Sequence, residues 1–178
     1  MSSSVYSPRQ VVLHWLSAVV IIWTLLSGFY VAVVEVETET KDWVAFLNVS
    51  LTSLYIPIFI LRLYCSFLHD FSLPLRKRSL PEYTALCVHK AMYLVLAVVL
   101  LTGVLMMDRP INVFDILFFE APLSDPSVTA WFMRVHIQSC VVLLILVAVH
   151  VGAVIKHELC GRRVLKNMSI QKNDRYRE

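Results

Sequence analysis

The chain has 178 residues, of which 58% are hydrophobic and 16% charged, with a net charge of +3 and a mean hydropathy of +0.69. Such a composition excludes an ordinary soluble domain, and so small a net charge gives no reason to expect a nucleic-acid partner. Its four cysteines, Cys65, Cys87, Cys140 and Cys160, show neither C-x-x-C nor C-x-x-C-H spacing, so neither a disulfide framework nor a thioether-linked prosthetic group is expected.

The first apolar run, about Gln10 to Val34, follows a short polar start containing Arg9. It is about twice as long as the apolar region of a signal peptide and lacks an A-x-A exit, so it is expected to persist as a membrane span. Three further runs are long enough to cross a bilayer as helices: Trp43 to Leu68, Thr84 to Met107 and Trp131 to Lys156. Between the last two, Asp108 to Ala130 carries Pro110, Pro122 and Pro126, which predict a folded-back loop. Within that loop, Ile116, Leu117, Phe118 and Phe119 predict a piece lying on the membrane surface. Residues 1–178 therefore read as one all-α membrane domain, a four-transmembrane-helix bundle without internal repeats, with membrane lipid as its first partner.

Basic residues orient the bundle. Lys41, Arg109 and Arg134 are the three on one side, against thirteen on the other, among them Arg76-Lys77-Arg78 and Arg162-Arg163. The basic-rich side is expected to be cytoplasmic, which puts both termini there. Eight acids (Glu35, Glu37, Glu39, Asp42, Asp108, Asp115, Glu120 and Asp125) leave the outer side at −5 and the inner side at +8.

His136 and His150 lie fourteen residues apart on the fourth span. At about 100° and ~1.5 Å per residue they share one stripe to within roughly 40° and stand about 21 Å apart, near opposite faces of a bilayer. A polar ring in hydrocarbon is expensive unless paired or ligated. His14, about one turn into the first span, shares the level of His150, and two neutral imidazoles facing each other in an apolar bundle supply the axial ligands of a b-type haem. At the depth of His136 the second span has Asn48. His89, with Lys90 beside it, sits at the inner end of the third span and is read as structural or interfacial, as a contact for a quinone or a haem propionate, or as an iron ligand. Arg62 either snorkels or pairs with a propionate, and Arg9 carries a weaker version of the same reading. His69 and His157, at helix ends, are expected to be solvated. Gly28, Gly103 and Gly152 lie in spans, either for close helix packing or to make room for a porphyrin face.

These features together resemble the bacterial cytochrome b561 family, which includes membrane superoxide oxidase and is similar to the cytochrome b subunits of hydrogenases and formate dehydrogenases. RQVVLHWLSA is similar to the family's R-x-x-x-x-H-W start, LRLY to its second-helix arginine, LLTGVLMM to the end of its third helix, and His136 with His150 to its paired fourth-helix ligands. The resemblance implies an inner haem b on His14 and His150 and an outer haem with His136 as one ligand. Counting back from Arg62, the family's second-helix histidine falls on Asn48. The outer site is then five-coordinate, recruits another ligand such as Met106 or Met107, or is empty.

The expected function is that of a bacterial inner-membrane cytochrome exchanging electrons between the quinone pool and a redox partner through haem b, with ubiquinone as substrate. One alternative implied by the resemblance is superoxide oxidation coupled to ubiquinone, against which the −5 outer balance speaks, since like charge repels an anion. The other is a structural or assembly subunit poor in haem, which only Asn48 suggests.

Overall fold

The computed structural model describes residues 8–72 and 80–161. It contains four long helices, α1 (Pro8–Val33), α2 (Thr38–Ser72), α3 (Leu80–Leu105) and α4 (Pro126–Leu159), with a two-stranded hairpin, β1 (Ile111–Val113) and β2 (Leu117–Phe119), between α3 and α4. All four helices are long and apolar enough to cross a membrane. The bundle therefore matches the expected fold class. Arg76, Lys77, Arg78, Arg162 and Arg163 lie outside the described residues; Arg9 and His69 belong to helical backbone, but their side chains fall outside the described set.

Helix α1 packs along α2 and α3 along α4, and the two pairs meet where α2 approaches α3. The core draws on all four helices: Ile21 and Leu25, Tyr55 and Phe59, Leu96, Val99 and Leu100, and Leu143. Outside it, Val19, Leu26, Ile60, Leu94, Leu101 and Ile145 are exposed. Large apolar side chains presented outward from every helix are what a lipid-facing surface requires, because hydrocarbon removes the cost of leaving them uncovered. Hydroxyls on these helices satisfy themselves locally: Ser17 donates to the Leu13 carbonyl (2.6 Å), Thr24 to Val20 (2.9 Å), Thr52 to Asn48 (2.7 Å) and Thr102 to Val98 (2.6 Å).

The helices begin earlier than the apolar runs predict. Helix α2 starts at Thr38 rather than Trp43, and Lys41 N–H already donates to the Glu37 carbonyl at 3.1 Å. Helix α4 starts at Pro126 rather than Trp131, because Asp125 caps it: its carboxylate accepts from the backbone N–H of Ser127 (2.8 Å) and Val128 (3.4 Å), and Pro126 follows the cap. Hydropathy finds where a helix enters hydrocarbon; capping finds where it starts. The Ser127 bonds hold the Asp125 carboxyl below its ordinary value of 3.8. A depressed carboxyl contributes stability above its unfolded value and loses it as pH falls through its folded one. The Ser127 and Val128 amides should therefore lose protection, relative to their intrinsic exchange rates, as pH falls through that lowered value and, in Asp125→Ala, at neutral pH as well. Equal amide protection in wild type and variant at neutral pH would contradict the cap.

The Ile116–Phe119 segment, expected to lie on the membrane surface, is part of a β-hairpin, with Ile111 paired to Phe119, Asn112 to Phe118 and Val113 to Leu117. Its turn residues Phe114 and Asp115 both have positive φ (52° and 57°). Asn112 stabilises the turn by accepting from the Asp115 N–H at 2.9 Å. Ile111 and Val113 are buried, whereas Ile116 (79%) and Phe118 (64%) are the most exposed residues of the hairpin apolar row. Ser50 of α2, fully buried, ties the hairpin to the bundle by accepting from the Phe114 N–H (3.1 Å) and lying 3.4 Å from the Asn112 carbonyl as its donor.

Candidate functional site

α1 and α3 begin, and α2 and α4 end, at one face of the bundle; the hairpin lies at the other. Near the first face, all four helices contribute to one polar cluster. Arg62 of α2 donates from Nη2 to Nδ1 of His14 on α1 at 3.0 Å, and its guanidinium stands 5.2 Å over the ring of Tyr93 on α3. His89 of α3 and His150 of α4 have ring centroids 5.0 Å apart, and both interact electrostatically with His14. The three imidazoles and Arg62 are half-buried. Lys90 is exposed next to His89. The arrangement brings together His14, Arg62, His89 and His150, as their depths predict. It also shows what depth alone cannot, that the His89 ring stands against His150 and that His14 is engaged by Arg62.

Deeper in the bundle, Tyr55 (1% exposed) has a hydroxyl that makes no hydrogen bond of good geometry among the described residues, with Ser17 and Arg62 as its polar neighbours. Tyr55, Phe59 and Tyr93 form an aromatic series at 6.1 and 6.4 Å that leads from this hydroxyl to Arg62. None of these residues stands out in the sequence. The one available signal is the seven-residue step from Tyr55 to Arg62, two turns along one helix face.

Toward the hairpin face, His136 and Asn48 do not bond to each other. Nδ1 of His136 lies 3.1 Å from the Val99 carbonyl and 3.2 Å from Oγ1 of Thr102, both on α3, while Nε2 lies 3.5 Å from the Cys140 thiol. Asn48 turns to α1: Oδ1 accepts from Ser27 at 3.0 Å, and Nδ2 donates to the Thr24 carbonyl at 3.4 Å. Glycine marks both places. A Cβ on Gly103 would stand 3.2 Å from Cε1 of His136, and one on Gly28 would stand 3.7 Å from the Asn48 amide nitrogen. Gly103 thus makes room for the His136 ring, and Gly152 meets nothing within 4 Å. The helix ends at Leu105, so Met106 and Met107 lie just beyond it.

Half-buried histidines at two levels of a four-helix apolar bundle are the construction of a multi-pass membrane cytochrome b. The chain belongs to the prokaryotic cytochrome b561 family, whose profile matches residues 5–169. Membership makes it a membrane b-type cytochrome that binds haem b and works in electron transfer. A search of curated proteins finds no match to the chain.

Proposed function

We propose that the chain passes electrons between a membrane quinone and a redox partner by way of haem b held at the His14 and His150 level, in a bacterial inner membrane with both termini cytoplasmic. The observation that carries this reading is the convergence of His14, Arg62, His89 and His150 from four different helices at one depth. Donor chemistry supports it: two imidazoles serve as axial ligands and an arginine meets a propionate. The orphaned Tyr55 hydroxyl beside Arg62 is a further donor that an acceptor oxygen would satisfy. When bound, haem b supplies reversible one-electron chemistry at iron.

The residues divide the remaining work. Arg62 is always charged and only donates, so on His14 it leaves the neutral ring with its proton on Nε2. If Arg62 instead held a propionate, the His14 ring would be free to carry its proton on Nδ1 and to offer Nε2 as a ligand. His89 and Lys90, at the same end, are the donors for a quinone carbonyl, where hydrogen bonding gives orientation and selectivity. The basic residues near this face set its orientation. At the hairpin face the net −5 repels an anion, which ranks superoxide oxidation below quinone-linked transfer.

The test is reduction of the purified, haem-loaded protein by ubiquinol in a stopped-flow instrument. His89→Ala and Lys90→Ala should each slow it by about tenfold, the effect of losing one hydrogen bond worth ~1.4 kcal/mol, with the haem spectrum unchanged. Wild-type rates in both variants would remove this cluster as the quinone site.

A further inference from the structure

We infer that the outward face of α4 is the contact surface for a second copy of this chain, in a parallel two-fold dimer that pairs the Gln138 side chains of the two copies within the membrane. The inference is independent of the quinone reading and of the number of haems per chain.

The first observation is the direction in which α4 presents its side chains. At about 100° per residue, Leu143, His136 and His150 lie roughly 140°, 160° and 120° around the helix from Gln138. Leu143 belongs to the core and both histidines are half-buried, so theirs is the side turned to the bundle. Helix α3, along which α4 packs, reaches it on that side, where Val99 and Thr102 approach His136. Gln138, Val141, Ile145, Ala148 and Gly152 succeed one another at steps of three, four, three and four residues, and all five are exposed. Such spacing keeps one seam against one partner helix over its whole length. A Cβ on Gly152 would meet no atom within 4 Å, so the seam is open to close approach of another backbone.

The second observation is Gln138 itself. It stands seven residues inside Trp131, about 10 Å along the helix from the outer end of the apolar run. Its amide carries two donor protons and an acceptor oxygen, yet it makes no hydrogen bond among the described residues. Hydrocarbon offers it none, and an amide left unpaired there is costly. Lipid chains or an apolar partner leave that cost in place, whereas a second copy removes it. Every copy inserts with the same topology, so two α4 helices run parallel, and a two-fold axis along the membrane normal sets Gln138 opposite Gln138 at one depth. Each amide then donates to the carbonyl of the other. A single polar side chain in an otherwise apolar seam is also what fixes register and number of chains. Arg134, one turn toward the hairpin face and likewise exposed, lies nearer the interface, where water and salt screen the two cations that the axis brings together.

The experiment is sedimentation equilibrium of the full, haem-loaded chain in density-matched detergent micelles over a range of protein-to-detergent ratios. A reversible equilibrium between monomer and dimer is expected. Gln138→Leu should weaken association roughly three- to fifteenfold, the usual effect of one interhelical hydrogen bond in a membrane. Gln138→Asn, which keeps the amide, should lie closer to wild type, and Gly152→Ile, which puts bulk into the seam, should shift the chain toward monomer. Leu94→Ala, on an exposed part of α3, should associate as wild type does. The seam faces away from the histidines, so the haem spectrum and the rate of reduction by ubiquinol should stay at wild-type values in Gln138→Leu, and a failure of the quinone reading would leave the association result standing. A monomer at every ratio would overturn the inference, placing the Gln138 amide against head groups or water. A dimer as tight in Gln138→Leu as in wild type would overturn it too, by showing that another face pairs.

Discussion

Replacing His150 with alanine should strip the protein of its low-spin haem, and replacing His14 should do the same. An axial imidazole lost from an apolar bundle has no water to take its place, so the effect expected is near-complete loss of that spectrum rather than a graded shift. His89→Ala is the informative control. Its ring lies 5.0 Å from that of His150, near enough to make α3 a rival to α1 as the source of the second ligand. On the proposed assignment His89→Ala retains the low-spin spectrum while His14→Ala abolishes it; the reverse pattern would transfer the ligand role from α1 to α3. Arg62→Gln should keep the iron spectrum but bind haem more weakly, because it removes the cation for a propionate, an interaction of about 1.5–3 kcal/mol for a charged hydrogen bond. Haem retention during dilution into detergent reads this directly.

The second large effect is expected far from any imidazole. Ser50→Ala should detach the β-hairpin, because one hydroxyl serves both the Phe114 N–H and the Asn112 carbonyl. Leaving such groups unpaired costs roughly 1–3 kcal/mol. The turn itself opposes folding, since Phe114 and Asp115 sit in the left-handed region that side chains with a Cβ disfavour. Ser50 and the edge contact between Phe46 and Phe114 (6.1 Å) hold it there. A lower unfolding temperature in detergent and faster amide exchange across residues 111–119 are the expected signs. An unchanged melting curve would mean that the hairpin is held by burial of Ile111 and Val113 alone.

Much of this architecture is written in the chain itself. Apolar runs of helical length fix four spans, because hydrocarbon tolerates only backbone whose hydrogen bonds are satisfied internally. Helical rise and rotation then place His14 with His150, and Asn48 with His136, at common depths without reference to any fold. The beginnings of α2 and α4 are less legible from hydropathy, although the Asp125-Pro126 pair is itself a start signal. What depth leaves undetermined is direction. That His136 donates toward α3, that Asn48 answers to Ser27 and Thr24 instead of α4, and that His150 has His89 as its ring neighbour all depend on how four helices are rotated about their axes. The apolar pattern cannot set that rotation, because a span in lipid is hydrophobic on every side and has no polar face to orient it. Packing of small and polar side chains between helices sets it, through Gly103 under the His136 ring, Gly28 beside Asn48, and Ser50 under the hairpin. Depth along the membrane is therefore a property of the sequence, whereas the pairing of side chains at each depth belongs to the tertiary structure.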